Sequence, residues 1–188
     1  MLTEGALFIA AAQVLGYLKL FELPQGGSIT ISMLPIFLYC LRWGFAPGMI
    51  ASCAFSVLQL MLDGAYAWSW QSMLGDYLLA FTALGLCGAF ARLRGGFWLG
   101  PVAGALGRFL CHFVTGATVW KEYMPERFFG MAMANPWFYS FLYNGSFMLV
   151  DTLLCLVLLF AMSKNPTLRR YLSGGDLELP RPGSEKKA

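Results

Sequence analysis

Of the 188 residues 58% are apolar and only 12% charged, against about 25% charged in a typical soluble domain, so the chain cannot coat a water-soluble globule of its size. A net charge of +3, with no basic run outside the last residues, excludes a nucleic-acid partner held by charge. Residues 5–18, 23–41, 43–62 and 128–150 carry no charge at all. A bilayer span takes about 20 apolar residues, and the pattern therefore predicts a multi-pass protein of the cell membrane, with the lipid bilayer as its surroundings.

Charged and turn-rich breaks divide the chain into six helices at about 4–20, 30–42, 45–62, 72–92, 97–120 and 136–163. Long apolar runs without period-2 alternation favour helices over a closed barrel, the only other fold that satisfies the backbone in lipid. The expected fold is an all-α integral membrane protein, a compact bundle of six transmembrane helices over residues 1–163. The first helix, EGALFIAAAQVLG, sets Ala6 and Ala10 one turn apart, a small-residue stripe that lets another helix approach closely. A loop, FELPQGGS, follows, and its paired glycines, Gly26 and Gly27, bend at little cost. Residues 164–188 lose the apolar pattern and gain Gly, Pro and charge, as a mobile cytoplasmic tail does.

An even number of spans puts both termini on one side. With the N- and C-termini cytoplasmic, the inner segments hold Arg42, Arg92, Arg94, Lys164, Arg169, Arg170, Arg181, Lys186 and Lys187. The outer segments then hold Lys19, Lys121 and Arg127, as the positive-inside rule requires. The five cysteines lie in apolar stretches without CxxC spacing and are expected to act as small buried hydrophobes.

Polar groups inside a bilayer usually face a cavity or a partner. Here they are Asp76 and Tyr77 in MLGDYLLAF, Arg108 and His112 in GRFLCHFVTG, and Tyr139, Ser140, Tyr143, Asn144 and Asp151 in FYSFLYNGSFMLVD. At 1.5 Å per residue, His112 lies about 12 Å below Trp120, and Asn144 about 12 Å below Pro136. Asp76 lies about 24 Å from the inner end of its helix. Polar groups of three helices thus converge in the outer half of the bilayer. His112, Gly116 and Trp120 form one stripe, in which Gly116 is expected to leave room beneath a flat ring. A carboxylate, an imidazole, an amide and several aromatic rings suit a flat, nitrogen-rich cation. Arg108 and Asp151 sit deeper, where a structural ion pair is expected. No spacing suggests a metal site, and there is no phosphate-binding GxxxxGK[ST] loop, so uphill transport would draw its energy from another protein.

Taken together, LPQGGSITISMLPIFLYCLRWG (23–44), LGDYLLAFTALGLCG (74–88), GRFLCHFVTGATVW (107–120) and YSFLYN (139–144) resemble the thiamine-specific substrate-binding (S) components of energy-coupling factor transporters. The resemblance covers residues 4–162. It implies a thiamine-binding membrane subunit, with no cofactor of its own, that works with a coupling transmembrane subunit and two cytoplasmic ATPase subunits. It further implies that thiamine is held by Tyr66, Asp76, Tyr77, His112, Gly116, Trp120, Tyr139 and Asn144. Residues Gln25, Gly26, Gly27 and Ser28 would gate the site, and Ala6 and Ala10 would dock the coupling subunit. Two features depart from some relatives: Asp76 stands where they have Glu, and residues 21–30 contain no Trp. The alternatives are an S component for another vitamin, a membrane enzyme using Asp76 and His112, or a helical assembly protein whose polar residues are interhelical glue.

Overall fold

A computed structural model describes residues 1–23, 26–63 and 69–172. Among them the chain forms α1 (Leu2–Tyr17), the hairpin β1 (Phe21–Glu22) and β2 (Ser28–Ile29), α2 (Met33–Trp43), α3 (Phe45–Asp63), α4 (Trp70–Phe90), α5 (Gly96–Thr118), the hairpin β3 (Arg127–Phe128) and β4 (Met131–Ala132), α6 (Pro136–Ser163) and α7 (Pro166–Leu172). Helices α1–α6 occupy the six segments expected from sequence. Both hairpins are antiparallel, pairing Phe21 with Ile29 and Arg127 with Ala132. Helices α3 to α6 are each long and apolar enough to cross a membrane, and the protein is a multi-pass membrane protein.

The shortest of the six is the centre of the bundle. Helix α2 has 11 residues, about 16 Å of rise against a hydrocarbon core about 30 Å thick, yet every residue from Met33 to Arg42 is buried. Its run MLPIFLYCL is apolar on all sides, the pattern of a helix surrounded by protein. Gly44, at φ 83°, makes a one-residue joint to α3 in a conformation that a side chain would strain.

Helix α5 lies against α4 and α2 through glycine. A Cβ at Gly100 would stand 2.7 Å from the Cys87 carbonyl oxygen, and one at Gly104 would stand 2.8 Å from that of Leu84 and 2.9 Å from Cε1 of Phe37. Gly96, Gly100 and Gly104 recur every fourth residue, so one face of α5 presents bare backbone and gains close van der Waals contact in return. Helix α4 is not uniform: a π-helical stretch, Met73–Leu79, and a 3-10 stretch, Ala83–Leu86, interrupt it. Helix α6 begins at Pro136 behind Asn135, whose side-chain oxygen accepts from the Trp137 N–H at 2.9 Å. It buries Tyr139, Tyr143, Phe147, Asp151, Cys155 and Leu159 along one stripe.

Two expectations change. Part of the segment assigned to a tail is α7, which packs on the bundle with Leu172 buried. Arg42 donates to the Tyr171 carbonyl at 2.7 Å, and its guanidinium lies 3.6 Å from the Tyr171 ring centre. The same end of the bundle is tied by Glu4, whose carboxylate accepts from Arg42 Nε at 2.9 Å, Trp43 Nε1 at 2.6 Å and the Tyr171 hydroxyl at 3.0 Å. Secondly, Cys40, Cys87 and Cys155 are buried as expected, but Cys53 is exposed on the outer face of α3 and Cys111 is only half-buried.

The glycine packing makes a paired prediction. Gly104→Ala pushes a methyl group into α4 and α2 and should destabilise by roughly 1–3 kcal/mol. Gly145→Ala meets only Phe109 at 3.8 Å and should be neutral or stabilising by up to about 1 kcal/mol. Thermal unfolding in detergent, followed by tryptophan fluorescence, separates the two; equal melting temperatures would contradict the close α4–α5 contact.

Candidate functional site

A cavity of about 960 Å³, measured out to its open mouth, lies between residues 26–32, the end of α3, the π-helical part of α4, the C-terminal half of α5 and the first three turns of α6. It brings together Gly26, Gly27, Ser28, Asp76, Tyr77, His112, Gly116, Trp120, Tyr139 and Asn144, which the sequence placed on four separate segments. Tyr66 and Gln25 lie outside the described residues.

Asp76 is the hub. One carboxylate oxygen meets His112 Nδ1 at 3.0 Å, and the other accepts from Trp120 Nε1 at 2.8 Å and from the Ser72 hydroxyl at 3.3 Å. The π-helical stretch places this carboxylate; such stretches recur at functional sites because the wider turn re-aims a side chain. Arg108 Nε donates to His112 Nε2 at 3.3 Å. Since a guanidinium can only donate, Nε2 is the acceptor, and the geometry assigns the proton to Nδ1, which gives it to Asp76. The imidazole thus links an acid to a base, held edge-on between Phe81 and Phe147, with ring centres 6.3 and 6.1 Å away. A general base would need Nε2 free to meet a substrate; here Arg108 occupies it.

Helix α6 supplies the opposite wall. Asn144 Nδ2 donates to the His112 carbonyl at 3.2 Å, the Ser140 carbonyl at 3.1 Å and the Ser140 hydroxyl at 3.0 Å. Its N–H groups are therefore committed to the α5–α6 seam, and the side-chain oxygen is what it can offer a ligand. Gly116 differs from expectation. The space beside it is filled by the Ser140 hydroxyl and by Asn144 Nδ2, which would lie 2.9 Å from a Cβ there. Its bareness lets α6 approach α5, and the room in the cavity comes from elsewhere. Tyr139 is buried edge-on to Phe128 of the β3–β4 hairpin, ring centres 5.4 Å apart. The Tyr77 hydroxyl donates to the Asp63 carbonyl at 3.0 Å, joining α4 to the end of α3.

The loop before α2 rests on the same stripe of α6. The Gly27 N–H donates to the Tyr143 hydroxyl at 2.9 Å, and the Thr30 N–H to Asp151 at 2.9 Å. A Cβ at Gly27 would lie 2.7 Å from the Tyr143 oxygen, so only glycine seats here without displacing that ring. The expected Arg108–Asp151 ion pair is absent. No nitrogen–oxygen approach within 4 Å joins them; Arg108 binds His112 and lies 4.3 Å from the Phe81 ring centre, while Asp151 holds the loop. Arg108, expected beneath the cavity, lines it.

Sequence reasoning missed Phe81, Phe147, Gln59 and Ser72. Phe147 follows Tyr139 and Tyr143 at four-residue spacing, Ser72 precedes Asp76 by four, and Gln59 is a polar residue in the apolar run SVLQLML; each was a legible signal. Phe81 follows Tyr77 by four residues, a signal of the same kind.

A helical membrane bundle whose few polar side chains converge on one aromatic-lined cavity is built to bind a small molecule. Residues 2–169 match the thiamine transporter protein (Thia_YuaJ) family, and the chain belongs to that family. It is 30% identical over 174 residues to the thiamine transporter ThiT of Bacillus subtilis, covering 84% of this chain and 87% of that one. It is 27% identical over 173 residues to the ThiT of Lacticaseibacillus paracasei, covering 84% and 83%. Its fold matches that of ThiT from Listeria monocytogenes with a TM-score of 0.75 at 23% identity, over 88% of this chain and 94% of that one.

The loop seat is testable by itself. Asp151→Leu removes the acceptor for the Thr30 N–H and should destabilise by about 1–3 kcal/mol, whereas Asp151→Asn keeps an acceptor and should lose less. Equal melting temperatures for the two variants would show that the Asp151–Thr30 bond does not hold the loop.

Proposed function

We propose that the chain is the thiamine-binding S component of an energy-coupling factor transporter, capturing thiamine in this cavity from the outer face. The observation that carries the reading is Asp76, a carboxylate fixed by three donors inside a cavity lined with aromatic rings. Thiamine joins a thiazolium cation to an aminopyrimidine, and the cavity has a counterpart for each part. Asp76 stabilises the cation together with ring faces among Tyr77 and Trp120; a desolvated cation–π contact contributes about 2 kcal/mol. The Asn144 side-chain oxygen accepts from the exocyclic amine, with Tyr139 alongside. Arg108 donates to the hydroxyl of the side arm.

Residues 26–28 act as the gate, seated on Tyr143 and Asp151 when closed. Delivery follows docking to a coupling transmembrane subunit driven by two cytoplasmic ATPases. Helix α1 offers the docking face: Ala6, Leu7, Ala10, Val14 and Tyr17 are exposed along one side, and small residues there admit a close partner helix. Positive-inside counting puts both termini in the cytoplasm, which sets the Glu4–Arg42–Tyr171 cluster at the inner face.

Titration of the purified protein with thiamine, followed through its six tryptophans, tests the reading. Saturable quenching at micromolar ligand or below is expected, with thiamine recovered unchanged; a response to riboflavin or biotin instead would assign another vitamin. Asp76→Asn should weaken binding by about 1.5–3 kcal/mol, or roughly ten- to a hundredfold. An unchanged affinity in that variant would remove Asp76 from the site.

A further inference from the structure

A buried side-chain pair outside the network around Asp76 joins α1 to α3. Gln59 of α3 and Gln13 of α1 are both buried, at 5% and 7% exposure, and Gln59 Nε2 donates to Gln13 Oε1 at 3.1 Å. Gln59 lines the cavity. Gln13 does not, and its own Nε2 is sealed in protein with no hydrogen-bond partner among the described residues. A buried amide left half-satisfied costs stability, so this pair is not explained as structural glue alone; two apolar side chains would pack the same seam.

The position of the pair on α1 gives it a use. At 100° per residue, Gln13 is one turn from Ala10 and one turn from Tyr17, at the edge of the exposed stripe, while Gly16 lines the cavity beside Gln59. A Cβ on Gly16 would stand 3.3 Å from Gln59 Nε2, so the α1 backbone and this amide are in direct register. The wall of the cavity and the rim of the outward face of α1 are therefore two ends of one hydrogen bond. The other contacts of Glu4 and Gly5 with α2 tie the first turn of α1; the Gln13–Gln59 bond ties its last turns.

We propose that Gln13 and Gln59 are positioning residues that couple occupancy of the cavity to the setting of α1. This rests on the reading of the cavity as the thiamine site and of α1 as the docking helix. A ligand that hydrogen-bonds or crowds Gln59 changes the orientation of its amide, and Gln13 must follow or lose the side-chain hydrogen bond it makes among the described residues. Coupling of this kind is reciprocal: whatever thiamine does to α1, a partner seated on α1 does to the affinity for thiamine.

Hydrogen exchange on the full chain in detergent, with and without saturating thiamine, tests the proposal, with tryptophan quenching run in parallel to report binding. In the unmodified protein thiamine should slow exchange of amides around residues 13–17 by about tenfold or more. In Gln13→Met, which keeps side-chain length, removes the bond and lies outside the cavity lining, thiamine should still quench while that protection falls to less than about twofold. A variant that binds thiamine and keeps the full ligand-dependent protection would overturn the proposal, as would an unmodified protein that binds thiamine without protecting α1. Absence of quenching in the unmodified protein would count against the thiamine reading instead, and so tells the two failures apart.

Discussion

A carboxylate within a membrane bundle is stable only where donors surround it, and the donors around Asp76 come from three places in the chain. Ser72 reaches it from one turn earlier in α4, His112 from the middle of α5, and Trp120 from the turn beyond α5. Satisfying one charge therefore fixes the spacing of α4 and α5 and the direction of the chain as it leaves α5. The same contacts order the groups that face the cavity: His112 is held by Asp76 on one nitrogen and Arg108 on the other, and Asn144 is pinned through the His112 carbonyl.

The surrounding fold makes these contacts possible by removing side chains where helices must approach. Gly75 lies against Thr115, Gly116 against Ser140, and Gly100 and Gly104 against the backbone of α4. A bundle in lipid gains little hydrophobic driving force from helix association, so close packing and buried hydrogen bonds carry the stability. Helix α2 is the exception: wholly enclosed by protein, it is packed as a core helix. Loop 26–32 lines the cavity and rests on the α6 stripe, Gly27 on Tyr143 and Thr30 on Asp151.

The helices and the level of the cavity were legible in the sequence because both follow from one-dimensional quantities: the length of apolar runs, and depth counted along a helix. Asp76, His112, Trp120 and Asn144 could be placed together on that basis alone. Partners were harder. Arg108 and Asp151 have opposite charge at similar depth, and counting predicted a pair, yet one faces His112 and the other the loop, which depends on rotation about helix axes. Gly116 lines the cavity as expected, but the space beside it is taken by Ser140 and Asn144 of the neighbouring helix rather than left open. The π-helical turn of α4, which carries Asp76, leaves no mark in hydrophobic periodicity.

The proposed role of Asp76 is to serve the positive charge of the ligand. Its most direct test compares the affinity of thiamine with that of a neutral analogue in which a thiophene replaces the thiazolium, in the unmodified protein and in Asp76→Asn. The unmodified protein should prefer the charged ligand by about tenfold or more, equivalent to at least about 1.4 kcal/mol, and the substitution should abolish the preference. Equal affinity for both ligands in the unmodified protein, or a preference that survives the substitution, would contradict it.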